Sequence, residues 1–216
     1  MNRTQVRSGG RAFTLVELVV VIAVIAVLVG LLLPSLARAK QKALRINCVS
    51  HLKNFGLSMR IFSSDNRGRF PMHMYSSQLD AEPALTAPDV LKCFQSLSNE
   101  LSTPILLVCA SDKRKPAPDF ARMQLTNVSY FLGLDATERK SQSLLAGDRN
   151  LMTNGVPLSA GIVILTAKSE AGWTPAMHNR RGNVALADGS VQQFANVRLK
   201  EFVSGSRQDP IRLAIP

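Results

Sequence analysis

The chain has 216 residues, 46% of them hydrophobic and 19% charged, with a formal net charge of +11 and three cysteines. Once a helix of about fifty residues is set aside, the remainder of about 145 is enough for one modest domain and shows no sign of a second. Basic residues are scattered rather than blocked together and aromatics make up only 6% of the chain. Both facts argue against a nucleic-acid surface, which gathers positive charge and stacking rings. There is no internal repeat and no low-complexity tract.

The first twelve residues, MNRTQVRSGGRA, carry Arg3, Arg7 and Arg11 and no acid. From Phe13 to Leu33 follow twenty-one residues, FTLVELVVVIAVIAVLVGLLL, apolar except for Thr14, Gly30 and Glu17, and Pro34 comes next. About 20 apolar residues in a helix rising about 1.5 Å each cross a bilayer core of about 30 Å. A basic lead before an apolar run suggests a secretory signal, but the run exceeds the about 7–15 residues of an ordinary signal core. No A-x-A site follows it, and PSLARAKQKALR continues as a helix, so any cleavage falls before the apolar segment. A carboxylate within hydrocarbon costs a few kcal/mol, so Glu17 calls for a partner and a role.

RAFTLVELVVVIAVIAVLVGLLLP resembles the N-terminus of type IV pilins and of type II secretion pseudopilins. In that family a prepilin peptidase on the cytoplasmic face removes the basic leader just before a Phe. The new Phe amine is then N-methylated, and a Glu four residues later is a hallmark. The resemblance implies a cut between Ala12 and Phe13, with Glu17 as the hallmark acid. Ala12 stands where the family usually has Gly, and is small enough to be accepted. Gly9 and Gly10 would place the cut out of register with Glu17.

Physical reasoning gives Glu17 the same assignment. Apolar helices packed side by side have no hydrophobic reason to prefer one axial register. A buried carboxylate that must meet the positive Phe13 amine of a neighbouring subunit supplies one. The simpler alternative is a lone charge near the membrane surface reaching back to water. Removal of the three leader arginines takes the net charge from +11 to +8. Arg38, Lys40, Lys42 and Arg45 lie just past the apolar run, so the positive-inside rule alone does not orient the span. The peptidase motif requires the leader to be cytoplasmic. The basic stretch beyond the membrane then faces anionic headgroups or acidic neighbours.

Helical spacing persists beyond Pro34, through Leu36, Ala39, Ala43, Ile46, Val49, Leu52, Phe55, Leu57, Met59 and Phe62. Pro34 is expected to kink this helix by removing one hydrogen bond, and DNRG at 65–68 to end it. The first half is apolar all round and suits lipid or other subunits. The second half is amphipathic and suits a domain on one face.

Beyond the helix, PDVLKCFQSLSNEL reads as a short helix beginning near Asp89, and Ile105–Cys109 as a buried strand. KRKPAPDFARMQ is a loop. NVSYFLGL, SLLAGDR and GIVILTA are further strands, with a turn at Asn154–Gly155. NVALADGSVQQF predicts a hairpin turning at Asp188–Gly189, and ANVRLKEFVSG a closing helix from Asn196 to Gly205. The expected fold is α+β and pilin-like, a long N-terminal helix whose second half carries a small, mostly antiparallel β-sheet. The domains are the leader 1–12, the helix 13–64 (13–33 membrane span and filament core) and a periplasmic or extracellular domain 65–216.

Cys48, Cys93 and Cys109 allow three single bridges or three buried free thiols. Resemblance to related sequences, with a Cys near the end of the long helix and another in an L-x-C-x-S-D stretch, favours Cys48–Cys109. HNRRGNVALADG places His178 ten residues before Asp188–Gly189. This H-x9-DG spacing resembles a C-terminal signature attached to prepilin-type leaders in planctomycete- and verrucomicrobia-like bacteria. A catalytic His178–Asp188 pair lacks an accompanying nucleophile or metal motif, so Asp188 is expected to make the turn and His178 to pack where the hairpin begins. Three His and three Cys show no recognisable zinc spacing. Asp188, Ser190 and Asp148 could offer oxygens to calcium, but without EF-hand spacing.

The implied function is a pseudopilin or pilin-like subunit, not an enzyme, with no required cofactor and no metal. It is single-pass in the inner membrane with its C-terminal domain in the periplasm, or extracellular once in a filament. Its partners are itself and other pseudopilins, the prepilin peptidase and an inner-membrane assembly platform. Polymerisation depends on a separate ATPase, since no phosphate-binding loop is present. The alternative is a DNA-uptake or adhesive type IV pilin with a basic ligand-binding surface.

Overall fold

In the computed structural model, which describes residues 13–75, 86–206 and 210–216, Leu15–Asp65 form a single 51-residue helix, α1. The helix continues through Pro34, whose ring replaces the N–H that would otherwise donate to Gly30. Just after it, Ser35 Oγ donates to the Leu32 carbonyl at 2.8 Å.

The chain divides into two compact units between Lys42 and Ala43. In the first, every residue from Phe13 to Lys42 is exposed. Leu15 is 77% exposed and Leu31 71%, so these side chains have no protein to pack against within the chain. Among the described residues α1 is the one helix long and apolar enough to cross a membrane.

In the second unit α1 buries Cys48, Leu52, Phe55, Met59 and Phe62, spaced alternately four and three apart, the stripe of a helix packed on one side. Helix α2 (Ala87–Gln95) is closed by a capping box between Thr86 and Asp89, and α3 (Ser98–Leu101) follows. The segment expected as a strand at Ile105–Cys109 is instead a 3₁₀ turn over Pro104–Leu107. Pro104 pre-sets a helical φ at its first position, and Thr103 Oγ1 accepts from the Ile105 N–H at 3.4 Å.

The strands are β1 (Tyr130–Gly133), β2 (Leu144–Asp148), β3 (Leu151–Thr153), β4 (Val156–Pro157), β5 (Gly161–Leu165), β6 (Ala171–Trp173), β7 (Arg181–Leu186), β8 (Val191–Ala195) and β9 (Ile211–Ile215), with helix α4 (Asn196–Ser204) before the last. They form a six-stranded antiparallel sheet, β5-β9-β1-β2-β7-β8, and a three-stranded one, β4-β3-β6. Strand β9, which the sequence reading did not single out, enters between β5 and β1.

Side chains of the larger sheet alternate between two cores. Tyr130, Leu132, Ala185 and Ala214 share one with the α1 stripe, while Phe131, Val184, Leu186, Leu213 and Ile215 share the other with Trp173 of β6 and Leu199 of α4. This period of two follows from strand geometry. Small residues on the α1 side let the helix approach closely: a Cβ on Gly56 would lie 3.9 Å from Ala185 Cβ. On the opposite side, a Cβ on Gly182 would fall 2.5 Å from the Trp173 ring, so only glycine admits the indole there. A long apolar N-terminal helix followed by an antiparallel sheet domain is the expected α+β, pilin-like arrangement.

Candidate functional site

At the start of α1, Thr14 and Glu17 close on each other. The Glu17 carboxylate, through Oε2, accepts from the Thr14 N–H and the Thr14 hydroxyl, both at 2.8 Å, and Glu17 N–H donates to Thr14 Oγ1 at 3.3 Å. This is a capping box: the first residue's side chain satisfies a free backbone donor of the first turn, and the acid three residues on reaches back. The acid also faces the positive end of the helix dipole. Its Oε1 has no hydrogen bond among the described residues. Phe13, 70% exposed, directly precedes the box. Ala12 and the leader lie outside the described residues.

The second unit holds a different constellation. Cys48 of α1 and Cys109 are joined by a disulfide with Cα atoms 5.0 Å apart and a sequence separation of 61. In the chain-entropy picture, closing a loop that long is worth on the order of 4 kcal/mol. Cys93 is a buried free thiol, whose burial pushes its pKa up to about 12. His178 has its Nε2 3.2 Å from Cys109 Sγ and 3.5 Å from Asp148 Oδ2. The His178 side chain is 2% exposed and that of Asp148 0%.

Local backbone explains the placement. His178, Asn179 and Arg180 are three consecutive residues at φ 52°, 50° and 59°, a left-handed turn that swings the His178 side chain inward before β7 begins. Asn150 steadies the approach, its Nδ2 donating to Thr174 O at 3.0 Å and Met177 O at 3.2 Å. Asp148 ends β2, and its Oδ2 accepts from the Asn183 N–H at 2.7 Å and from Asn183 Nδ2 at 3.0 Å. Its Oδ1 has no partner among the described residues.

Burial dominates the electrostatics. It pushes the Asp148 carboxyl up to about 7, against the opposing pull of the Asn183 hydrogen bonds and the Arg45 guanidinium. Burial, and then Arg45, lowers His178 to about 4. Between pH 4 and 7 the pair therefore keeps one titrating proton, held on the Asp148 carboxyl beside a neutral His178.

His178 and Asp188–Gly189 do not meet; they bracket β7. Asp188 Oδ1 accepts from the Ser190 N–H at 2.8 Å, Oδ2 accepts from Gln142 Nε2 at 3.1 Å, and the Asp188 carbonyl accepts from Arg60 Nη1 of α1 at 2.8 Å. Gly189 sits at φ 84°, and a Cβ there would press on Arg60 at 3.3 Å. The H-x9-DG spacing thus measures one strand, with its start fixed in the core and its turn tied to α1. Asp148 and Asp188 lie at opposite ends of the β2–β7 ladder, which pairs Gly147 with Val184 and Leu144 with Leu186. The oxygens considered for calcium therefore do not converge.

With this geometry in view, comparison with known families is informative at the N-terminus. The family described as the prokaryotic N-terminal methylation motif matches residues 7–33. This chain carries that methylation motif. No curated protein and no solved structure matches the chain. The motif marks type IV pilin-like subunits rather than enzymes, and implies processing by a prepilin peptidase and assembly into filaments with other pilins. Together with a span-length apolar helix it fits membrane anchoring.

Within the methylation motif, Thr14 was legible as half of a T-x-x-E capping box before an apolar run, yet sequence reasoning treated Glu17 only as an acid awaiting the amine of a neighbouring subunit. In the second unit Cys48, Cys109 and His178 are a group of potential metal ligands whose donor atoms all lie within 4.8 Å of one another. Sequence spacing hid it, because the residues stand 61 and 69 apart. His51 and His73 are elsewhere, bonded to the carbonyls of Val108 and Ala136. Asn183, which bonds Asp148, carried no sequence signal, while Arg45, expected with the basic stretch to face headgroups or acidic neighbours, acts on Asp148.

Proposed function

We propose that this chain is a pseudopilin or closely related pilin-like subunit, cut by prepilin peptidase between Ala12 and Phe13 and assembled into a type II secretion pseudopilus or related filament. The observation that carries the reading is the methylation motif at residues 7–33, with its acid held one turn from the future N-terminus. Before assembly the 13–33 segment spans the inner membrane and the second unit lies in the periplasm. Extraction then exchanges lipid for neighbouring helices around the apolar segment.

Glu17 fixes the register of that packing. Cleavage creates a positive amine on Phe13, the opposite charge needed by a carboxylate in a low-dielectric surrounding. The capping box uses Oε2, which leaves Oε1 for the amine of an adjacent subunit. Thr14 thereby orients the acid while it waits. The alternative of an adhesive or DNA-uptake pilin shares every step up to assembly and differs only in what the domain surface contacts.

The deciding experiment is the intact mass of the chain recovered from cells that also express a prepilin peptidase. A mature chain beginning at Phe13, methylated or not, supports the proposal and shows that Ala12 is accepted before the cut. A chain retaining Met1 makes the protein a permanent membrane anchor and removes the basis for the role of Glu17.

A further inference from the structure

Helix α4 and the loop between β1 and β2 flank a groove of about 620 Å³, within the range of about 300–1,000 Å³ common for small-ligand sites. Arg198, Glu201, Phe202 and Gly205 line it from α4, at the i, i+3, i+4 and i+7 positions of one helix face. Arg139, Lys140, Ser141 and Gln142 line it from the loop. The β7–β8 hairpin sets both walls. Its turn holds the loop: the Asp188 N–H donates to Ser141 O at 3.1 Å, the Ala187 N–H to Ser143 O at 3.0 Å, and Gln142 Nε2 to Asp188 Oδ2 at 3.1 Å. Its far end, β8, runs directly into α4. There the buried Phe194 ring lies 5.3 Å, centroid to centroid, from the half-buried Phe202 ring, which therefore rests on a fixed support. The Asp188–Gly189 end of the H-x9-DG spacing thus holds one wall of the groove.

Charge in the groove is one-sided, with three cations against the single acid Glu201. Glu201 meets Arg198 at 3.6 Å with both side chains 60% exposed, a pair too solvated to keep Arg198 from an incoming anion. Arg139 and Lys140 form no ion pair among the described residues. The Asp188 carboxylate beside the loop already engages Gln142 and the Ser190 N–H. Shape then selects among anions. A peptide docks by adding a strand to a sheet edge or by laying a helix on a run of apolar anchors. This groove is lined by neither a strand nor more than one ring. A sugar brings its own hydroxyls to the Ser141 and Gln142 side chains, and its C–H face meets the electron-rich face of Phe202 favourably.

We propose that this groove binds an acidic saccharide, a short sugar segment bearing carboxylate or sulfate groups, with Arg139, Lys140 and Arg198 on its anions and one sugar face stacked on Phe202. The Arg guanidinium forks suit the paired oxygens of carboxylate and sulfate, and Lys140 supplies a point charge. Because the hairpin and the Phe194–Phe202 contact fix both walls, little ordering is left for the ligand to impose. The proposal is independent of the N-terminal reading: the groove lies wholly within the second unit, and binding is measured whether or not the leader is removed.

The test is calorimetric titration of the full chain, in micelles of a polyoxyethylene detergent at low salt, with trigalacturonate, a sulfated galactose trisaccharide and the neutral galactose trisaccharide. Saturable binding of one equivalent of an acidic trisaccharide is expected, with the neutral one at least about tenfold weaker. Arg139→Gln combined with Lys140→Gln should weaken the acidic sugar at least about tenfold, and Phe202→Leu about fivefold. Lys113→Gln combined with Lys168→Gln removes the same charge from exposed positions outside the groove and should leave the affinity unchanged. Circular dichroism reports the fold of each variant. Absence of saturable binding by both acidic trisaccharides overturns the proposal. So does an equal loss in the Lys113 and Lys168 control, which would make the attraction one of net charge alone. Tighter binding of an aspartate oligomer or of oligothymidylate than of either acidic sugar overturns the saccharide assignment.

Discussion

Helix α1 contains two stretches that differ in what surrounds them. From Phe13 to Lys42 every residue is exposed, including Val20, Ile25 and Leu33 at 55%, 52% and 60%. From Cys48 to Phe62 the same helix hides a stripe in a core with the sheet. Both stretches satisfy their backbone internally, as any helix does. Only the second has protein to receive its side chains within the chain. Apolar surface facing water costs about 25 cal/mol per Å², so the first stretch is built for an apolar medium supplied from outside. One secondary structure thus serves two solvents, and side-chain burial distinguishes them.

The sharpest way to break this contrast is to truncate one apolar side chain in each stretch. Phe55→Ala, at a fully buried position, should cost the domain about 3–5 kcal/mol. Leu28→Ala, at a 55% exposed position, should leave its denaturation midpoint within about 0.5 kcal/mol. Urea titration of both variants in micelles, followed by Trp173 fluorescence, measures the two. Equal losses would mean that the first stretch packs against the domain.

Within the second unit, Gly182→Ala tests the close approach of β7 to Trp173. The added methyl would meet the indole at 2.5 Å, an overpacking expected to cost about 1–3 kcal/mol. The same titration should show an earlier midpoint with an unchanged slope.

The buried pair gives a prediction with a sign. Asp148 titrates near 7 when folded against 3.8 ordinarily, and His178 near 4 against 6.5. Between pH 4 and 6.5 the folded and unfolded chains each bind one proton on this pair, so its contribution to stability is flat. Asp148→Asn leaves His178 neutral when folded and protonated when unfolded. Relative to the parent, stability should then fall as pH drops from 6.5 towards 4. His178→Asn leaves an acid with a raised folded pKa, so stability should fall as pH rises from 4 to 7. Each slope is at most about 1.4 kcal/mol per pH unit, that of one proton. Slopes of the same sign in both variants would refute a protonated Asp148 beside a neutral His178.

The smallest effect belongs to the first stretch. Thr14→Ala removes the side-chain half of the capping box and should weaken the first turn by about 1 kcal/mol. Faster amide exchange at Leu15–Glu17 in micelles, with the domain unaffected, is the expected result.

Much of this was legible in the sequence because it is local. The twenty-one-residue apolar run, its acid and the helical stripe beyond Pro34 are periodicities, and they predicted α1 with its two characters. Asp188–Gly189 and Asn196 predicted a turn and a helix start because both depend on the conformations of adjacent residues. Ile105–Cys109 misled for the opposite reason: its apolar composition suited a strand, while Pro104 and Thr103 set a 3₁₀ turn. Strand β9 follows the closing helix at the very end of the chain, and its place between β5 and β1 depends on partners about 50 and 80 residues away.

By itself, then, the sequence determined the elements that depend on neighbours along the chain: the membrane-length helix, its N-terminal motif with Glu17, the hairpin turn and the closing helix. Tertiary structure alone decided which side chains meet. It formed the Cys48–Cys109 bridge that resemblance had favoured among three pairings, brought His178 within reach of Asp148, and turned an H-x9-DG spacing into the two ends of one strand. The physical reason is that a buried polar contact is fixed by the packing of distant segments, and no spacing along one chain encodes it.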